Sequence, residues 1–88
     1  MTQAHKTIEN EFRKYPNNDI PEWKIVCEKV LERFKWTQNE RLIRKYYLEA
    51  KPVVAVCLEM CVSEREFYYS KREVLDMAFR WAKEYKLL

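Results

Sequence analysis

The chain has 88 residues and no glycine. Glycine enters the left-handed backbone region without steric cost. Every reversal here must therefore use proline, asparagine, aspartate or lysine, or hold another residue in a strained backbone conformation. Glycine-rich phosphate loops and the dinucleotide-binding fingerprint are excluded by the same absence.

The hydrophobic pattern is helical nearly throughout. Between Thr2 and Tyr15, the residues Ala4, Ile8, Phe12 and Tyr15 recur at four- and three-residue steps, one stripe of a helix. Pro16-Asn17-Asn18-Asp19 is a break. Pro21 opens a second helix, with a stripe of Trp23, Val26, Cys27, Val30, Leu31 and Phe34. A second break falls at Trp36-Thr37. Thr37 and Glu40 then have the spacing of a capping box, in which an N-cap hydroxyl and a carboxylate three residues later satisfy each other's backbone N–H. The third helix carries Leu42, Ile43, Tyr46 and Tyr47 inward and ends near Leu48.

Residues 52–85 predict a short helix, a tight turn and a long helix. Pro52 suits a first helical position, and Val53, Val56, Cys57 and Met60 make one face. Ser63 and Glu66 form a second capping box. Only Cys61, Val62 and Ser63 remain for the turn, so the two helices must cross steeply, as in a helix-turn-helix. With cysteine and not glycine at position 61, either Cys61 takes a left-handed conformation, at roughly 1 kcal/mol, or the turn has a different geometry. Phe67, Val74, Ala78, Trp81 and Tyr85, widened by Leu75 and Ala82, form the buried stripe of the last helix, expected to pack on the third and fourth. The predicted fold class is all-α, with about five helices in a single domain spanning 1–88 and a helix-turn-helix at 52–75.

An apolar fraction of 48% with 13 aromatic residues supplies a core. No apolar run reaches the ~18–20 residues of a membrane span, and the opening MTQAHKTIENEFRK has no signal-peptide pattern. A cytoplasmic protein with no membrane partner is the expectation. The three cysteines, an odd number, argue against a disulfide framework and are expected as buried small apolar groups. Cys57 and Cys61 have a spacing that suits two metal ligands, but the single histidine, His5, is remote, so neither a metal nor a cofactor is expected. No serine has a nucleophile-elbow context and no carboxylate pair suggests acid–base chemistry, so no enzyme is expected.

The face of the last helix opposite its buried stripe shows Glu64, Arg65, Tyr68, Tyr69 and Arg72 over the first two turns. Arginine makes bidentate bonds to guanine or pairs with phosphate, and a tyrosine hydroxyl bonds to phosphate. Recognition helices read bases mainly with their N-terminal residues. Ser63, Glu64, Arg65, Tyr68, Tyr69 and Arg72 are therefore the candidate DNA-binding residues. Lys71, Arg44 and Lys45 are expected in solvent, with phosphate contact as the alternative. Trp23, Trp36 and Trp81 are expected in the core or an interface. The net charge of +3 permits a nucleic-acid partner without requiring one. Residues 64–88 mix six basic with five acidic groups.

The stretch RLIRKYYLEAKPVVAVCLEMCVSEREFYYSKREVL, residues 41–75, resembles the sigma factor region 4-like helix-turn-helix. More narrowly, it is similar to the small phage transcriptional regulators of the RinA and ArpU type. The resemblance rests on Leu42-Ile43 with Tyr46-Tyr47, then Val62-Ser63-Glu64-Arg65, Phe67-Tyr68, and Lys71-Arg72-Glu73-Val74-Leu75, with Glu11-Phe12-Arg13-Lys14-Tyr15-Pro16 as a looser match. It implies sequence-specific binding of double-stranded DNA and transcription regulation in a phage or prophage. A second reading stays open: a helical adaptor to RNA polymerase or to a phage packaging component, with the helix-turn-helix kept as scaffold. Met77, Phe79, Leu87 and Leu88 lie off the main stripe, so either the N-terminal helices or a second subunit covers them, the latter giving a homodimer through the C-terminal helix.

Overall fold

A computed structural model describes residues 2–88. Among them are α1 (Gln3–Lys14), α2 (Pro21–Arg33), α3 (Gln38–Leu42), which continues as a π-helical segment (Ile43–Leu48), α4 (Val53–Met60) and α5 (Glu64–Glu84), with no strand. The all-α class with about five helices is as expected. The core is one cluster fed by every helix: Ile8 and Phe12 from α1, Trp23, Val26, Cys27 and Val30 from α2, Leu42, Ile43 and Tyr47 from the third helix, Val56 and Met60 from α4, and Phe67, Val74, Leu75, Ala78 and Ala82 from α5. Alpha5, about 31 Å long at 1.5 Å per residue, is nearly as long as the 35 Å greatest extent of the molecule. It packs on α3 and α4 as expected, and most extensively on α2 and α1. That docking half-buries Met77, Phe79 and Leu87 against the core and leaves Leu88 exposed.

The missing glycines are replaced in one way. Trp36, Ala50, Cys61 and Lys86 all have positive φ, at 67°, 56°, 57° and 58°, and each follows the end of a helix. At α4 the left-handed Cys61 lets the Val62 N–H donate to the Cys57 carbonyl at 3.0 Å, and the Leu87 N–H reaches the Ala82 carbonyl at 2.8 Å past Lys86. Both are the six-to-one bonds of a Schellman closure. Alpha1 stops differently, at an extended Tyr15 before Pro16, where the proline ring disfavours helix.

Three local expectations are corrected. Pro52 is the extended N-cap of α4, not its first helical residue (ψ 157°). The Thr37 capping box does not form: Glu40 accepts from the backbone N–H of Trp36 at 3.0 Å instead of that of Thr37, and the Thr37 hydroxyl donates back to the Phe34 carbonyl at 2.5 Å. The third helix changes winding at Ile43, and the Glu49 N–H reaches the Arg44 carbonyl at 2.8 Å, five residues back. The Ser63 box is complete: its hydroxyl accepts from the Glu66 N–H at 3.1 Å, and the Glu66 carboxylate accepts from the Ser63 N–H at 3.2 Å.

Candidate nucleic-acid interface

The Ser63 cap starts α5 at a fixed residue, and Phe67, fully buried two turns from Val74, fixes its rotation. With both set, Arg65, Tyr69, Arg72, Asp76, Arg80 and Lys83 fall at four- and three-residue steps along the outward face, and all six are exposed. The Arg65 guanidinium donates to the Tyr69 hydroxyl at 3.3 Å and lies 5.6 Å from its ring centroid. This pair holds two long side chains upright together. Among the described residues, Arg65, Arg72, Arg80 and Lys83 take part in no ion pair.

The acidic groups on α5 are for the most part used internally. Glu66 closes the capping box. Glu73 accepts a hydrogen bond from the Asn39 side chain, tying α5 to α3. Asp76 meets the His5 ring at 3.1 Å. Of the acidic residues in the first four turns, Glu64 alone is left without such a contact, and it stands at the helix start, away from the ridge. The mixture of charge seen in the sequence therefore separates in part: Arg65 and Arg72 stand without an acidic neighbour on the first turns of the ridge, while Asp76, its side chain 56% exposed, interrupts the ridge before Arg80 and Lys83.

Beneath this ridge the helix is anchored by a buried polar cluster. The Tyr47 hydroxyl donates to Glu9 Oε2 at 2.7 Å, and Lys71 Nζ lies 3.1 Å from the same oxygen. The carboxylate side chain is 6% exposed and the lysine 13%. Burial and the adjacent Glu9 carboxylate push the Tyr47 hydroxyl well above the usual phenol range. Three helices thus meet at one carboxylate, and Lys71 is an internal strut, not the solvated side chain expected. Its ammonium also lies 5.6 Å and 5.5 Å from the ring centroids of Tyr46 and Tyr68.

The six predicted residues do not form one surface. Arg65, Tyr69 and Arg72 belong to the ridge. Tyr68, half-exposed, packs edge-on against Phe67 at 5.1 Å and turns to a cleft of about 490 Å³ between the start of α1 and α5, whose wall it shares with Thr2, His5, Lys71, Arg72 and Leu75. Glu64 is exposed at the first turn, and the Ser63 oxygen is committed to the cap. Arg80 and Lys83 were missed, although the same four–three stepping from Arg72 identifies them. His5, too remote in sequence to join Cys57 and Cys61, meets Asp76, 71 residues away.

Other assignments change as well. Trp23 is buried and Trp81 half-buried, but Trp36 stands in solvent. Cys27 and Cys57 are buried, with burial pushing the Cys27 thiol up to about 12, whereas Cys61 is exposed. Arg44 is exposed as expected and makes a surface pair with Glu40 at 3.3 Å, whereas Lys45 is half-buried and pairs with Glu59 at 2.8 Å. Lys45 and Lys51 hold the Glu59 carboxyl down at about 2. No group of three metal-ligating side chains occurs among the described residues, and no helix is long and apolar enough to cross a membrane. Comparison with protein-family models, curated proteins and solved structures finds no match to this chain.

Proposed function

We propose that the chain is a DNA-binding transcriptional regulator of the phage RinA/ArpU type, reading double-stranded DNA sequence-specifically with the first half of α5. One observation carries the reading: the outward face of α5 presents Arg65, Tyr69 and Arg72 in line over its first turns, while Glu66 and Glu73 on its flank are engaged in hydrogen bonds within the molecule. Alpha5 enters the major groove, α4 braces it, and Arg80 and Lys83 extend the positive line toward the backbone. A homodimer through the second half of α5 would set the spacing of two half-sites. The test is a selection from genomic fragments with the purified protein at two salt concentrations. A short common sequence, enriched at both, is the expected result; random recovery at low salt and none at high salt refutes sequence-specific reading.

One observation favours a second reading, an adaptor that binds RNA polymerase or a packaging component. Alpha4 exposes Val54 and Leu58, one turn apart, at 63% and 75%. Replacing both with lysine leaves duplex binding intact if α5 is the reader, and abolishes partner capture if α4 is the functional face.

A further inference from the structure

The turn between α2 and α3 displays a tryptophan that neither the core nor α5 uses. Trp36 is 87% exposed, more than any other large apolar side chain of the described residues. It also sits at φ 67°, a region costly for any residue with a Cβ. The display is held firmly. The Trp36 N–H donates to Glu40 at 3.0 Å, and this bond holds the Glu40 carboxyl below its usual range. The Thr37 N–H and hydroxyl both donate to the Phe34 carbonyl, at 3.0 and 2.5 Å. Lys35 Nζ lies 5.5 Å from the indole centroid, and Arg33 and Lys35 are both exposed beside it. Trp36 shares its left-handed backbone with Ala50, Cys61 and Lys86; what sets it apart is a large apolar ring presented to water beside two exposed cations.

The position of the turn indicates what that is. Arg33, Thr37, Gln38 and Asn39 face Ser70 and Glu73 of α5 across an open cleft of about 460 Å³. Ser70 and Glu73 lie on the flank of α5 next to the ridge, and the Asn39–Glu73 bond fixes the two elements side by side. With α5 in a major groove about 12 Å wide, a body set against its flank stands over one of the two sugar–phosphate strands that border the groove. The turn carries two cations and an indole at the edge of that cleft; of the carboxylates around it, Glu40 is engaged with Trp36 and Arg44 and Glu73 with Asn39, while Glu28 and Glu32 share a second cleft with Lys35.

We infer that the α2–α3 turn is a second contact with duplex DNA, in which Trp36 lies against the deoxyribose of the strand flanking the groove while Arg33 and Lys35 pair with its phosphates. This contact positions the protein and carries no sequence information. It rests on the reading of α5 as the groove-bound helix, and the two fail differently.

The test uses a duplex enriched by the genomic selection, titrated by fluorescence anisotropy across a salt series with wild type, Trp36→Ala and the double variant Arg33→Gln/Lys35→Gln. All three positions are exposed, and far-UV circular dichroism checks that helicity is kept. Trp36→Ala is expected to bind about tenfold more weakly, by the same factor on related sequences. The double variant is expected to lose about 1.8 from the slope of log affinity against log salt, two phosphates at about 0.9 each. Affinity of Trp36→Ala within twofold of wild type, a slope unchanged in the double variant, or a loss confined to some sequences overturns the contact while leaving α5 as reader. No duplex binding by wild type at low salt removes the DNA reading itself, and this inference with it.

Discussion

Replacing Lys71 with methionine tests the anchor that orients α5. The lysine and Glu9 face each other at 3.1 Å with side chains 13% and 6% exposed, and methionine keeps most of the apolar stem. Removing one partner of a buried pair strands the other charge, at about 3–5 kcal/mol. Here the Tyr47 hydroxyl still donates to the carboxylate at 2.7 Å, so the low end, about 3 kcal/mol, is expected. A domain of this length has about 4–13 kcal/mol in total, so the variant stays folded at low temperature and melts about 12–24 °C lower. Adding Glu9→Gln removes the stranded charge and brings the double variant back to within about 1 kcal/mol of wild type. Urea denaturation followed by circular dichroism measures all three differences. A Lys71→Met cost below about 0.5 kcal/mol, or no recovery on adding Glu9→Gln, refutes the buried strut and returns Lys71 to the solvated role its sequence context suggested.

Other outcomes follow from the same structure. Ala50→Gly relieves an exposed left-handed residue at φ 56° and is expected to stabilise by about 1 kcal/mol, raising the melting temperature by about 4–8 °C; a lower melting temperature counts against that geometry. The Glu59 carboxyl is held at about 2, chiefly by its hydrogen bond from Lys45 and then by that from Lys51, against an ordinary value of 4.5. Its contribution to stability is therefore fully present above pH 4.5 and lost as pH falls toward 2. The gap in melting temperature between wild type and Glu59→Gln should close across that window, and a constant gap contradicts the cluster. Alkylation of the native protein should modify Cys61 and spare Cys27, read by peptide mass; equal labelling would contradict the burial of Cys27.

The parts legible in the sequence are those fixed by local chemistry. Ser63 and Glu66 lie three residues apart, and the bond lengths of the completed box follow from that spacing. Of the two geometries open to a turn without glycine, the one adopted is the left-handed Cys61, at φ 57°. The apolar stripes of α1, α2 and α5 gave the buried faces, since 3.6-residue periodicity depends only on the helix itself. What could not be read depended on distant partners. Lys71 looks like one more cation in a basic run until Glu9, 62 positions earlier, is brought beneath it. His5 and Asp76 are equally remote. The π winding at Ile43–Leu48 leaves Leu42, Ile43 and Tyr47 inward just as an α-helix does, so their pattern carries no sign of it. Trp36 misled for a different reason: tryptophan is usually buried, and only the backbone of the α2–α3 turn directs this one outward.

The central claim is that the ridge of Arg65, Tyr69 and Arg72 reads DNA. Its most direct test is the affinity of Arg65→Ala and Arg72→Ala for the selected duplex, measured beside their helicity. Each substitution is expected to weaken binding by about 1–3 kcal/mol, or roughly 5- to 150-fold, with wild-type circular dichroism. Unchanged affinity in both variants would contradict the assignment of this face.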